Sequence, residues 1–161
     1  HLEALPRPAG RPDGPSPAPG WDAFAWLRAQ TRLPLLVKGV MRAEDARRAM
    51  QAGADGVIVS NHGGRVLDGA VGALEALPDI AAAVEGHAPV LFDSGIRRGT
   101  DIAKALRLGA AAVLVGRPVV CGLAVAGDRG AAHVLRMLVE EFRLADALSA
   151  PALVERAGGA A

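Results

Sequence analysis

Apolar residues in this chain fall into short unbroken runs, separated by stretches in which they recur at helical spacing. Leu35 to Lys38 predicts a short buried strand, 43–52 (AEDARRAMQA) a helix stopped at Gly53, and 56–60 (GVIVS) a second strand. A loop over 61–70 and a helical stretch over 71–85, interrupted at Pro78, come next. Strand 89–93 (PVLFD), helix 100–108 (TDIAKALRL) with Gly109 behind it, and strand 112–115 (AVLV) complete the alternation. Continuous apolar strands separated by helices of about ten residues predict parallel strands covered on both faces. The fold class is therefore α/β. Before this core, Trp21, Phe24, Ala25, Leu27 and Arg28 give a short amphipathic helix that ends before Pro34. After it come an apolar stretch at Val119 to Val125, a helix from about Arg129 to Asp146, a short tail helix near Pro151 to Arg156 and a fraying Gly/Ala end.

A repeat sharpens the architecture. Sliding residues 34–61 by 56 positions lays PLLVKGVMRAEDARRAMQAGADGVIVSN on VLFDSGIRRGTDIAKALRLGAAAVLVGR. Gly39 then falls on Gly95, Arg42 on Arg98, Asp45 on Asp101, Gly53 on Gly109 and Val57 on Val113. Each copy is a strand, helix, strand unit, and repeated units of this kind with glycine at every strand end point to a (β/α) barrel more than to a doubly wound sheet. A closed barrel has eight strands over about 250 residues, whereas four are legible here, so the chain supplies half of one. Residues 1–20 carry six of the eleven prolines and read as a Pro/Gly-rich mobile loop or linker, leaving 21–161 as the barrel unit. The chain starts at His1 rather than Met, which is the expectation for part of a longer polypeptide.

Composition narrows the chemistry. The chain is 51% hydrophobic and 22% charged, with a net charge of +1, and no dense basic run marks a nucleic-acid partner. The single cysteine, Cys121, leaves no disulfide framework and no Cys-rich zinc site; it is expected to pack inside an apolar helix. A reducing, cytoplasmic setting fits, and no apolar run reaches the roughly 18 residues that a membrane span needs.

Reactive groups of a parallel barrel stand at the carboxyl ends of its strands. Here those ends are Lys38-Gly39, the loop Ser60 to Arg65, the run Asp93 to Arg97, and Gly116-Arg117-Pro118. Ser94, Gly95 and Gly116 offer backbone N–H groups, and Arg97 and Arg117 offer guanidinium forks, a set suited to a phosphate. Either arginine alone would serve equally as a helix cap or a surface ion pair. His62 sits in a loop beside glycines, where its ring can reach the barrel mouth as a general base, although a lone histidine is more often a surface or core residue. Arg65 is placed to pair with a substrate carboxylate. Lys38, at the end of an apolar strand, needs an anionic or electron-rich partner and should face a ligand. His1, His87 and His133 fall on a linker, a turn and a helix and carry no such expectation.

The run VIVSNHGGRVLDG (57–69), with LLVKG (35–39) before it and LFDSGIRRGTD (91–101) and VLVGRP (113–118) after it, resembles the FMN-dependent α-hydroxy acid oxidases and dehydrogenases. That family includes glycolate oxidase, lactate oxidase and mandelate dehydrogenase. The match covers about residues 21–150 in order, and SNHGGR followed by LDG is its specific part. The resemblance implies the C-terminal half, about four βα units, of a TIM (β/α)8 barrel that binds FMN and oxidises a small L-2-hydroxy acid to the 2-keto acid. His62 would be the base, and Arg65 with His62 would bind the substrate. Lys38 would stand beside the flavin, Ser60 would contact the FMN and Asp93 its ribityl hydroxyls. Ser94, Gly95, Ile96, Arg97, Gly116 and Arg117 would surround its phosphate. It also implies an N-terminal half-barrel polypeptide as partner and a homo-oligomer, a tetramer as in the family. A non-catalytic half-barrel that keeps only the phosphate cradle is the alternative.

Overall fold

A computed structural model describes residues 20–149. The expected N-terminal loop, apart from Gly20, and the expected tail helix lie outside the described residues. Four strands, β1 (Leu36–Val40), β2 (Gly56–Val59), β3 (Val90–Phe92) and β4 (Ala112–Val113), form one sheet in the order β1-β2-β3-β4, and every pair is parallel. Helix α1 (Trp21–Gln30) precedes the sheet; α2 (Ala43–Gln51), α3 (Ala73–Val84) and α4 (Gly99–Arg107) are its crossovers; α5 (Arg117–Leu148) follows. This is half the strand complement of a closed barrel.

The sequence repeat is also a repeat of geometry, since α2 and α4 have bounds 56 residues apart, and each helix is followed by a glycine of positive φ, Gly53 at 85° and Gly109 at 106°. Such a glycine ends a helix because no Cβ opposes the left-handed turn. Between the helices and the sheet, Val57, Val59, Leu77, Ile80, Ala46, Ala49 and Ala105 are fully buried and Phe92 nearly so. Alanine on the helices lets them approach the valine-rich strands closely, and this is how a core with few aromatics closes. Trp21 on α1 packs against this core, with the Arg48 guanidinium 5.2 Å from its ring centre. Asp55 ties the α1 end down, accepting from Arg28 and from the Leu35 N–H, each at 2.7 Å.

Three expectations need correction. Helix α3 runs through Pro78 without interruption: the proline is exposed and removes one ladder hydrogen bond, while Leu77 and Ile80 beside it are buried and hold the helix to the sheet. The apolar stretch after β4 and the helix beyond it are both helical within α5, with a break at Ala126 and Gly127, where φ is −146° and 60°. Cys121 does lie in that helix but is exposed rather than packed.

Candidate functional site

At the carboxyl end of the sheet a cavity of about 400 Å³ opens, lined by residues from all four strand ends. Lys38, His62, Arg65, Asp93, Ser94, Gly95, Ile96, Arg97, Gly116 and Arg117 all line it, joined by Gly63, Leu114, Val115 and Val120. Of the expected site residues only Ser60 stands apart: it is fully buried, and its hydroxyl is a hub beneath the rim. Ser60 Oγ accepts from Lys38 Nζ at 3.0 Å and from the His62 N–H at 3.1 Å, and donates to Asp93 Oδ2 at 2.8 Å.

Lys38 is expected to face a ligand, and it does line the cavity, but its nearest anion belongs to the protein. Its Nζ lies 2.6 Å from Asp93 Oδ2. A β-bulge makes this possible. Lys38 pairs with Ile58 and Val40 with Val59, so Gly39, at φ 94°, is an extra residue that turns Lys38 to the mouth while Val40 stays in the core. Burial alone would raise the Asp93 carboxyl, but hydrogen bonds from Lys38 and Ser60, the Lys38 charge and the Ser94 N–H outweigh it and hold the group below the usual carboxylate range.

His62 opens a single 3₁₀ turn, His62–Gly64, in which the Asn61 side chain accepts from the Gly64 N–H at 3.2 Å. The φ of His62 is 57°, and Gly63 and Gly64 are also positive. Gly39 lies beneath the imidazole: a Cβ there would come within 2.8 Å of His62 Cε1. The sequence shows Gly39 as the repeat partner of Gly95 and as part of a strand end, neither of which hints that it serves the histidine. Arg65 donates through Nε to the His62 carbonyl at 3.0 Å, and Arg117 donates to the Gly63 carbonyl at 3.3 Å.

Four cations, Lys38, Arg65, Arg97 and Arg117, thus converge on one cavity whose single acidic residue, Asp93, is already paired. The N-terminus of α5 adds the positive end of a helix dipole at Gly116 and Arg117. A Cβ added at Gly95 or Gly116 would meet no protein atom within 4 Å, so both backbones have open space beside them. An anionic group with a flat, partly apolar body fits this lining, and FMN has that character. Among the described residues no cluster of His, Cys, Asp and Glu is suited to a metal ion.

Comparison with known proteins gives the same picture. The FMN-dependent dehydrogenase family model matches residues 11–152. L-lactate oxidase from Nostoc sp. is 56% identical over 133 residues, covering 83% of this chain and 36% of that protein. A peroxisomal (S)-2-hydroxy-acid oxidase from Oryza sativa subsp. japonica is 54% identical over 132 residues, covering 82% of this chain and 36% of its own length. Among solved structures, a mandelate oxidase variant with (S)-mandelic acid superposes with a TM-score of 0.79 at 54% identity, over 81% of this chain and 39% of that one. The same variant solved with a monooxide FMN adduct gives the same TM-score, over 41% of its chain. The chain spans little more than a third of the length of the curated relatives it matches.

Proposed function

The chain belongs to the FMN-dependent dehydrogenase family, and on that premise we propose that it takes part in the flavin-dependent oxidation of an L-2-hydroxy acid, of the lactate, glycolate or mandelate type, to the 2-keto acid. The observation that carries this reading is the convergence on one cavity of one imidazole, three arginines and the Lys38–Asp93 ion pair, which holds the cavity's single carboxylate. Such a mouth suits two anions at once, a phosphate and a substrate carboxylate.

FMN, when bound, supplies the acceptor for the two electrons that leave the substrate. The chain's own residues do the rest. Gly95 and Gly116 offer N–H groups and Arg97 and Arg117 offer guanidinium forks to the phosphate, flanked by Ser94 and Ile96. Lys38, oriented by Ser60 and Asp93, would offer its ammonium to the flavin, where a positive charge favours the electron-rich reduced form. Ser60 acts on the cofactor through Lys38. Arg65 pairs with the substrate carboxylate, and its link to the His62 carbonyl sets the distance between clamp and base. His62 takes one of the two protons released as the alcohol becomes a carbonyl. The same base serves whether the electrons leave as a hydride or after the carbon-bound proton.

The assembled enzyme needs the remaining strands of the barrel, contributed by an N-terminal half-barrel polypeptide, and we take the complete barrels to associate as a homo-oligomer in the cytoplasm. Among the described residues no helix is long and apolar enough to cross a membrane. The test is a visible spectrum of the assembled barrel with added substrate. Flavin bands that bleach with a hydroxy acid are expected, and His62→Ala should slow that bleaching by about 10²- to 10⁴-fold while FMN stays bound. An unchanged bleaching rate would remove His62 from the mechanism. A colourless assembly that takes up no FMN would leave the non-catalytic half-barrel as the better reading.

A further inference from the structure

Ser94 is the rim residue whose backbone and side chain pull in opposite directions. Its φ is 94°, in the region that side chains with a Cβ avoid, and among the described non-glycine residues only His62 and Glu85 share a positive φ. The next residue, Gly95, also has positive φ, so the turn at the end of β3 is wound left-handed through two positions, only one of which is glycine. A serine is therefore held where glycine would sit without strain. What it gains is visible in its contacts. Ser94 Oγ accepts from the Gly63 N–H at 3.1 Å and lies 3.2 Å from Ser60 Oγ, linking the end of β3 to the turn that carries His62.

That turn has little backbone restraint of its own. It contains two consecutive glycines of positive φ, both exposed, and such backbone has many accessible conformations. Its other ties are the His62 N–H to Ser60, the Gly64 N–H to the Asn61 side chain and carbonyl, Arg65 to the His62 carbonyl, and Arg117 to the Gly63 carbonyl. The Arg117 tie is long, and Arg117 also lines the cavity, so an anion seated there competes for its guanidinium. The Ser94 tie is neutral, and its hydroxyl is already engaged between the Gly63 N–H and Ser60 Oγ.

We propose that Ser94 is a positioning residue for the base: its hydroxyl, held by a strained backbone, fixes the Gly63 amide and with it the attitude of His62 when the cavity is filled. This rests on His62 being the base. Two substitutions separate positioning from mere structural support. Ser94→Ala keeps the Cβ and its strain but loses the hydroxyl; Ser94→Gly loses both. If the hydroxyl positions the turn, amide hydrogen exchange at Gly63 in the assembled, FMN-loaded protein should speed up at least tenfold in both variants. In both, kcat should fall about tenfold with KM for the hydroxy acid changed less than twofold, although Ser94→Gly melts at or above the wild-type temperature. If Ser94 were only structural, kcat would follow stability and Ser94→Gly would retain wild-type turnover. That result, or unchanged Gly63 exchange in Ser94→Ala, overturns the proposal. The exchange measurement does not use turnover, so it still reads the tie if His62→Ala proves active and the base assignment fails.

Discussion

At the scale of single residues the site is organised by what Lys38 and Asp93 do for each other. The pair was only half legible in the sequence. A lysine closing an apolar strand announces that it needs a partner, but nothing in LLVKG shows that the partner stands two strands away in LFDSG rather than on a ligand. The bulge at Gly39, which aims the ammonium, is a property of pairing register and leaves no local signal beyond the glycine itself. The pair also has a pH signature. Asp93 has a lowered carboxyl pKa in the folded chain, so its contribution to stability is present above the ordinary carboxylate range and is lost as pH falls through the lowered value. Asp93→Asn should therefore be less stable than wild type at pH 7, because it leaves the Lys38 ammonium beside a neutral amide. The gap between the two denaturation midpoints should begin to narrow below about pH 4, where the carboxyl of the unfolded chain takes up its proton, and narrow further as pH falls through the lowered folded value. Equal gaps at pH 7 and pH 3 would show that the carboxylate charge contributes nothing.

At the scale of elements the two repeat copies were the most legible feature, because the same strand, helix, strand pattern is written twice and the helices it predicts lie 56 residues apart in the structure as well. Strand lengths were less legible. The apolar run 112–115 continues past β4, yet ladder pairing with β3 ends at Phe92 and Val113, since apolar composition records burial and not the register of hydrogen bonds. The repeat also exposes a difference between its copies. Position 43 in the first helix is alanine and position 99 in the second is glycine, so the βα unit itself accepts a methyl group there. Helix α5 is what forbids it: a Cβ on Gly99 would lie 2.0 Å from the Phe142 nitrogen and 2.2 Å from the Glu141 carbonyl carbon, backbone atoms that cannot swing away. The Gly99 N–H donates to Glu141 Oε2 at 2.8 Å, fixing the same contact from the other side. Gly99→Ala should thus push α5 off α4 and cost about 1–3 kcal/mol in urea denaturation. A loss of only a few tenths would mean that α5 docks less tightly than its geometry shows.

At the scale of the whole molecule the sheet has two unlike faces. Val57, Val59, Val90 and Phe92 point to the helices and are buried, whereas Leu36, Ile58, Leu91 and Ala112, on the opposite face of the same strands, remain half-buried or exposed. Parallel strands with apolar residues on both faces are stable when both faces are covered. Among the described residues β1 and β4 each have only one neighbour, so the sheet also ends in two unpaired edges. This is the surface on which the rest of a barrel would close, and the relatives, of which the chain spans little more than a third, have the length to supply it. The two faces should answer a buried charge differently. Leu91→Lys places an ammonium on the uncovered face: the 161-residue chain alone should keep its helical circular dichroism and associate less in sedimentation, yet lose assembly with an N-terminal half-barrel and, with it, stoichiometric FMN. Val57→Lys places the same charge beneath the helices and should abolish the fold outright, since among the described residues the cluster buried around Val57 holds no carboxylate. If Leu91→Lys unfolds the chain as Val57→Lys does, the open face is already covered by this chain's own packing, and the two-part barrel fails. If Leu91→Lys assembles normally and binds FMN, the closing surface lies elsewhere.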